Sequence, residues 1–314
     1  MLREIRGALT ALALVACVAL AAASISIWQP GQALLASLRF HIAAGLFVLI
    51  VLLALSRAWR RALLFLVPLG ASLGQGALVI YNQQQPRIEA AAEGTTPLFK
   101  VMSFNLMTDN RNGARVAEYI LASGADVVML MEATPLRPYR DRLLGSYPYV
   151  AGCEDFSRCG TMILSRTPLE DIKLSPLSPV WPDRLVTAAT EIGGTRVNLV
   201  LAHLVKPYFD EFPFEETYRL AKAMEGLEGP LLLAGDFNAA AWSDNIDRLV
   251  QRAGLLPPPM YPATWPVRAG PLGVPIDNLF TRGSLVIDRI EAFADAMGSN
   301  HRGLTAEVSL TTGS

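Results

Sequence analysis

The tetrapeptide Gly235-Asp236-Phe237-Asn238 closes an apolar run from Pro230 to Ala234. Residues two apart at the exit of a strand share one face of a sheet, so Asp236 and Asn238 offer a carboxylate and an amide to a common space. Both types also favour turns, and alone the pair is more often a turn device than a catalytic pair. The rest of the chain repeats the placement. Asn105 ends Val101-Met102-Ser103-Phe104, Glu132 ends Val127-Val128-Met129-Leu130-Met131, and His203 ends Leu199-Val200-Leu201-Ala202. Asp277 follows Val274-Pro275-Ile276, and Asn300-His301 precede a last β-rich run. Beyond residue 98 the chain has two histidines, His203 and His301, and both stand at such ends. Oxygen side chains suit a hard divalent cation. An imidazole beside a carboxylate suits proton transfer or the stabilisation of developing charge.

Strands must carry these ends. Short apolar and β-branched runs predict them at Phe99–Leu106, Asp126–Met131, Gly160–Arg166, Leu185–Ile192, Arg196–Leu204, Pro230–Ala234, Asp277–Thr281, Val286–Asp295 and Thr305–Leu310. Helical patterns fall at Gly113–Ser123, Phe214–Gly226 and Ser243–Ala253. Gly193-Gly194 reads as the turn of a hairpin. Hairpin-linked strands interrupted by helices argue for mixed sheets in an α+β layered domain.

Before residue 98 the composition changes. Apolar stretches at Ala8–Ile27, Phe40–Leu55 and Ala62–Ile80 lack a recurring polar face and approach the span of a bilayer, which predicts three transmembrane helices. Arg3 and Arg6 precede the first; Arg57, Arg60 and Arg61 crowd the loop between the second and third; Trp28–Leu38 carries no charge. Positive residues stay in the cytoplasm, so the remainder of the chain is expected outside it, in a multi-pass protein of the cell inner membrane with a periplasmic catalytic domain. Ala21-Ala22-Ala23-Ser24 would also suit a cleaved signal, which leaves that orientation unchanged. The expected organisation is a membrane domain over 1–80, a polar tether over 81–98 and a folded domain over 99–314, with the lipid bilayer as one partner and no stable protein partner inferred. Cys153 and Cys159 are spaced for a small disulfide loop in an oxidising compartment, and lack the further ligands of a zinc site. From residue 99 onward 20 Lys and Arg face 25 Asp and Glu, a net charge of −5 that does not advertise a surface for gripping nucleic acid phosphates.

The stretches VMSFNL, ADVVMLMEAT, NLVLAHL, LLLAGDFNA, PIDNLF and SNHRGL resemble, in order, the motifs of the endonuclease/exonuclease/phosphatase superfamily, and its bacterial membrane-anchored type in particular. The resemblance covers nearly all of residues 99–310. It implies a four-layer α/β/β/α sandwich of two mixed sheets and Mg²⁺-dependent (or Mn²⁺-dependent) cleavage of a phosphoester. The substrate implied is a phospholipid headgroup, a nucleic acid or a small molecule. A phosphodiester repels an anionic nucleophile, so a cation and cationic donors are needed. By the resemblance Glu132 holds the metal with Asn105 completing its shell. Asp236 positions and deprotonates water, Asn238 holds a phosphate oxygen or that water, and Asp277 orients His301, whose imidazolium stabilises charge at phosphorus. His203 contacts the phosphate or assists the leaving group. Two positions depart from the pattern: Asn300 stands where the family often has Asp, and Asn278 where His is common. Loss of the carboxylate at 300 implies an altered or weakened metal site. It also motivates an alternative: a catalytically weak or inactive membrane receptor or scaffold that retains the fold.

Overall fold

The computed structural model describes residues 1–25, 31–153, 159–179, 181–209 and 212–312. Ser26–Pro30 of the first expected inter-span loop and the five residues between Cys153 and Cys159 lie outside the described residues. The described helices are α1 (Leu2–Ser24), α2 (Gln32–Ser37), α3 (Arg39–Leu55), α4 (Trp59–Ala92), α5 (Gly113–Ala122), α6 (Arg140–Leu144), α7 (Phe212–Glu225) and α8 (Asp244–Ala253). The strands are β1 (Thr95–Asn105), β2 (Val127–Met131), β3 (Tyr149–Gly152), β4 (Thr161–Ser165), β5 (Leu169–Ser175), β6 (Leu185–Ile192), β7 (Thr195–His203), β8 (Leu231–Asp236), β9 (Asp277–Arg282), β10 (Leu285–Ala292) and β11 (Leu304–Thr311).

Two mixed sheets form, in the orders β10-β11-β1-β2-β4-β3 and β5-β6-β7-β8-β9. Each contains one parallel pair, β1 with β2 and β7 with β8; the other pairings are antiparallel. Strands buried on both faces lose the alternation of half-exposed ones, which is why β2, β4 and β8 read as unbroken apolar runs. One apolar cluster fills the space between the sheets, with Val101, Met129 and Ile163 meeting Val186, Leu199 and Leu279. A second packs β1, β2 and β4 under α5 through Val116 and Ile120, and a third packs β7 and β8 under α7 and α8 through Leu220 and Leu249. The result is an α+β sandwich layered as helices, sheet, sheet, helices. Local chemistry agrees at α8: Asp244 and Asp247 occupy its first turn, Arg252 its last, and Gly254 ends it at φ +61°.

Strands β3 and β5 are absent from the sequence reading because they are edges. β3 is four residues long, and β5 (Leu-Glu-Asp-Ile-Lys-Leu-Ser) is mostly exposed. The N-terminal third differs more. Two helices are long and apolar enough to cross a membrane by length and composition, Leu2–Ser24 and Trp59–Ala92. The middle expected span, α3, is a shorter apolar helix of 17 residues, a rise of about 26 Å against about 30 Å of hydrocarbon. The segment read as a tether is not one. α4 runs for 34 residues to Ala92, through Pro86, and β1 begins at Thr95. Tertiary contacts override the polar composition: Gln83 donates to Ala241 O (2.9 Å) and to Asp247 Oδ1 (2.8 Å), Gln84 to Pro258 O (2.8 Å), and Arg87 to Ile287 O (3.1 Å). Tyr261 donates its hydroxyl proton to Gln83 Oε1 at 2.7 Å.

Candidate active site

Register carries the expected residues to one rim. His203 at the end of β7 lies opposite Asp236 at the end of β8, which lies opposite Asp277 at the start of β9. In the other sheet Asn105 ends β1 opposite Met131, and Glu132 follows directly. The backbone is bent to hold them: Glu132 and Asn238 adopt φ of +52° and +49°, a conformation that costs a non-glycine residue about 1 kcal/mol or more. Glu132 is anchored there by its N–H donating to Gly160 O (2.8 Å), and Ala133 N–H donates to Cys159 O (3.0 Å). Cys159 is disulfide-bonded to Cys153, a cross-link beside the turn that carries Glu132. At Gly235 a Cβ would stand 1.8 Å from Ala202 O, which is why the residue before the aspartate is glycine.

Asn105 joins the sheets. Its Nδ2 donates to Asp236 Oδ2 (3.0 Å) and faces Glu132 Oε1 (3.4 Å), while its Oδ1 accepts from Met107 N–H (3.0 Å). Glu132 Oε2 accepts from the N–H and hydroxyl of Thr108. His203 Nε2 stands 3.9 Å from Glu132 Oε1 and 3.7 Å from Asp236 Oδ2. His301 pairs its Nδ1 with Asp277 Oδ2 at 2.9 Å and turns Nε2 toward Asp236 Oδ2 at 3.8 Å. Ser299 Oγ donates to Asn105 O and accepts from His301 N–H, fixing the last loop onto β1. Asn238 donates its backbone N–H to Asp236 Oδ1 (2.9 Å) and its Nδ2 to Leu204 O (2.8 Å). Asn105, Glu132, His203, Asp236, Asn238, Asp277 and His301 therefore surround one space. Asn300 is exposed beside it and lines the adjoining cavity with His301.

Burial separates the protonation states. Burial, then the neighbouring Asp277, pushes the Asp236 carboxyl up to about 7, against the pull of His301 and the N–H donors of Asn238 and Asn105. Burial alone would lower His301, but Asp277 and Asp236 outweigh it and raise the imidazole to about 9. His203 is held well below its ordinary range by burial and by the positive charges of Arg184, His301 and Lys206. At neutral pH the site holds a proton acceptor, an imidazolium and a neutral imidazole around one pocket. Arg184 belongs here too, and no motif announced it. The guanidinium is mostly buried, stacks over Trp181 at 5.6 Å and feels Glu216, Glu132 and Asp236. Its only sequence signal is a cation directly before β6.

Asp236, Asp277 and His301 offer ligand atoms within 4.8 Å of one another, a group that could hold a metal ion. Asp277 Oδ1 is buried without a hydrogen-bond partner, and Glu132 Oε1 and Asp236 Oδ2 converge on the same amide of Asn105. An oxygen-rich set with a spare buried carboxylate oxygen fits a hard divalent cation.

Solved structures share this architecture. D. rerio TDP2, humanized by 14 mutations, matches with a TM-score of 0.57 at 17% identity, over 69% of this chain and 100% of that one. An endonuclease/exonuclease/phosphatase family protein from Bacteroides thetaiotaomicron matches at 0.58 and 15% identity, over 69% and 99%. Sphingomyelinase C from Streptomyces griseocarneus matches at 0.50 and 16% identity, over 68% and 99%. At such identities the likeness is one of fold. No curated protein matches the chain. Residues 102–301, from β1 to the His301 that meets Asp277, match the Endonuclease/Exonuclease/phosphatase family, and this chain belongs to it.

Proposed function

We propose that the protein is a membrane-anchored phosphoesterase that depends on a divalent metal and hydrolyses a phosphodiester or phosphomonoester. The observation that carries this is the meeting of Asn105, Glu132 and Asp236 from two sheets beside the Asp277–His301 pair. Glu132 would hold Mg²⁺ or Mn²⁺, with Asn105 and the Asp236 oxygen at its side. When bound, the ion supplies positive charge to the phosphoryl oxygens. Asp236, poised near neutrality, takes the proton of the attacking water while Asn238 holds that water or a phosphate oxygen. His301, kept cationic by Asp277, stabilises the charge that grows on phosphorus-bound oxygen. His203, neutral, donates a hydrogen bond to the phosphate or leaving oxygen, and Arg184 adds positive potential.

Anchoring rests on α1 and α4, with α3 as a third crossing completed by its flanks. Arg6 donates to Ser56 O and Arg61 Nη1 to Thr10 Oγ1 (3.0 Å), so the arginines gather at the end of the helices away from the sandwich. That asymmetry and the Cys153–Cys159 disulfide favour a catalytic domain outside the cytoplasm, in the periplasm for an inner-membrane protein. Asn300 gives the non-catalytic scaffold its one argument. Its exposed position leaves the Asp277–His301 contact intact, which favours the enzyme.

The test is turnover of bis-p-nitrophenyl phosphate with Mg²⁺ by the full chain. Turnover that disappears with EDTA and with Asp236→Ala or His301→Ala is expected. Equal activity in both variants would sink the mechanism. A periplasm-dependent reporter fused after Ser314 is expected to be active, and an inactive reporter would reverse the topology.

A further inference from the structure

The helical third of the chain contributes a wall to the site. A cavity of about 290 Å³ adjoins the catalytic residues. Its polar end is made by Lys206, Asn238, Asn300 and His301. Its apolar side is made by Trp265, Val274 and Ile276 from the sandwich and by Leu34 and Leu38 from α2 and the residue after it. This wall is fixed by hydrogen bonds and packing. Ala240 N–H donates to Ser37 Oγ (2.9 Å), Trp242 Nε1 donates to Ala36 O (3.1 Å), and Leu38 packs on the cluster of Ala240, Val274 and Ile276.

The two ends of the cavity ask for different chemistry. The Lys206 ammonium, with the donors of Asn238 and the His301 ring, complements one anionic phosphoester. A ribose and base laid on Leu34, Leu38, Val274 and Ile276 would leave polar groups without partners, whereas a hydrocarbon has none to lose. The apolar side also leads toward the helices. The carbonyl oxygen of Leu272, a residue 77% exposed, lies 2.7 Å from Nε2 of His41 in the first turn of α3. Trp265 and Tyr208, both amphipathic and both exposed, flank the same cavity.

We propose that this cavity is the subsite for the hydrocarbon of an amphiphilic phosphoester, so that the substrate is a lipid. Its phosphate lies at His301 and Asn238 and its chain against Leu34 and Leu38. The assignment rests on the phosphoesterase reading above and adds the substrate class to it.

The experiment uses the full chain in amphipol with Mg²⁺ and a series of p-nitrophenyl alkyl phosphates from ethyl to decyl. Matching alkyl monophosphates are read by phosphate release, and thymidine 5′-p-nitrophenyl phosphate is the polar member. Specificity, as kcat/KM, should rise about tenfold or more from ethyl to octyl and exceed that for the thymidine ester. Leu34→Ala and Leu38→Ala should flatten the dependence on chain length. A flat series in a protein that turns over the ethyl ester, or preference for the thymidine ester, overturns the lipid assignment and leaves the phosphoesterase reading standing. Failure to hydrolyse any member removes both.

Discussion

The sandwich and the N-terminal helices sort their apolar side chains in opposite ways. In the sandwich the apolar side chains are enclosed in three clusters, and the buried ionisable residues His203, Asp236, Asp277 and His301 gather at the rim where chemistry is proposed. In the helices the arrangement is inverted. Val15, Val18, Leu64 and Val67 point outward, each more than 60% exposed, while small residues such as Ala13, Ala43 and Ala62 are buried between helices. In the proposed bilayer outward-facing apolar groups cost little, and close packing of small residues would hold the helices together. The buried polar groups of the helices are likewise informative by position. Gln32, Ser37, Arg39, Ser72 and Gln83 all lie toward the sandwich. Arg39 donates to Ala23 O (2.7 Å) and Gln75 Oε1 (3.0 Å) there. One unit concentrates polarity where it acts, the other where it is joined.

That contrast can be broken most severely at the rim. Asp236→Asn keeps the shape but removes the proton acceptor, and kcat should fall about 10³-fold or more with little change in melting temperature. A variant that keeps a tenth of the activity would move the acceptor elsewhere. Gly235→Ala attacks the support instead of the chemistry. The Cβ meets Ala202 O, and the cost should be about 3 kcal/mol or more, read as loss of the folded sandwich in denaturant titration.

A smaller effect separates charge from shape. In EDTA-treated protein the His301 ring should titrate near 9 by NMR. Protonation therefore favours the folded chain fully below about 6.5, the ordinary value, and that contribution fades as pH rises through about 9. Asp277→Asn should bring the ring back to the ordinary range or below and erase this part of the stability profile. The smallest effect belongs to the joint. Gln83→Ala removes the acceptor of the Tyr261 hydroxyl and one of the donors to Asp247, and should cost about 1–2 kcal/mol, seen as a lower melting temperature of the sandwich without loss of metal-dependent turnover at low temperature.

The rim was legible because strands write their ends into the sequence. An apolar run stopping at Asn105, Glu132, His203 or Asp236 marks both the strand and the edge where it finishes. Arg184 was not legible, since its place beside Asp236 depends on which strands become neighbours. β5 was hidden because an exposed edge needs no apolar pattern. Residues 81–92 misled for a related reason. Gln83, Gln84 and Arg87 look like solvated linker until the surface they bind is known. The part played by α2 was likewise invisible, because Leu34 and Leu38 differ in no local way from other apolar residues of that region.

Only Glu93 and Gly94 separate the long fourth helix from the first strand. With the helices in a bilayer as proposed, the mouth of the site would be held at a set height and bearing over the lipid plane, like a tool clamped in a rest. Encounters would then be governed by lateral diffusion, and velocity would follow the mole fraction of substrate among its neighbours in the plane. Diluting the substrate with inert lipid should slow the enzyme, and diluting the vesicles in buffer should not.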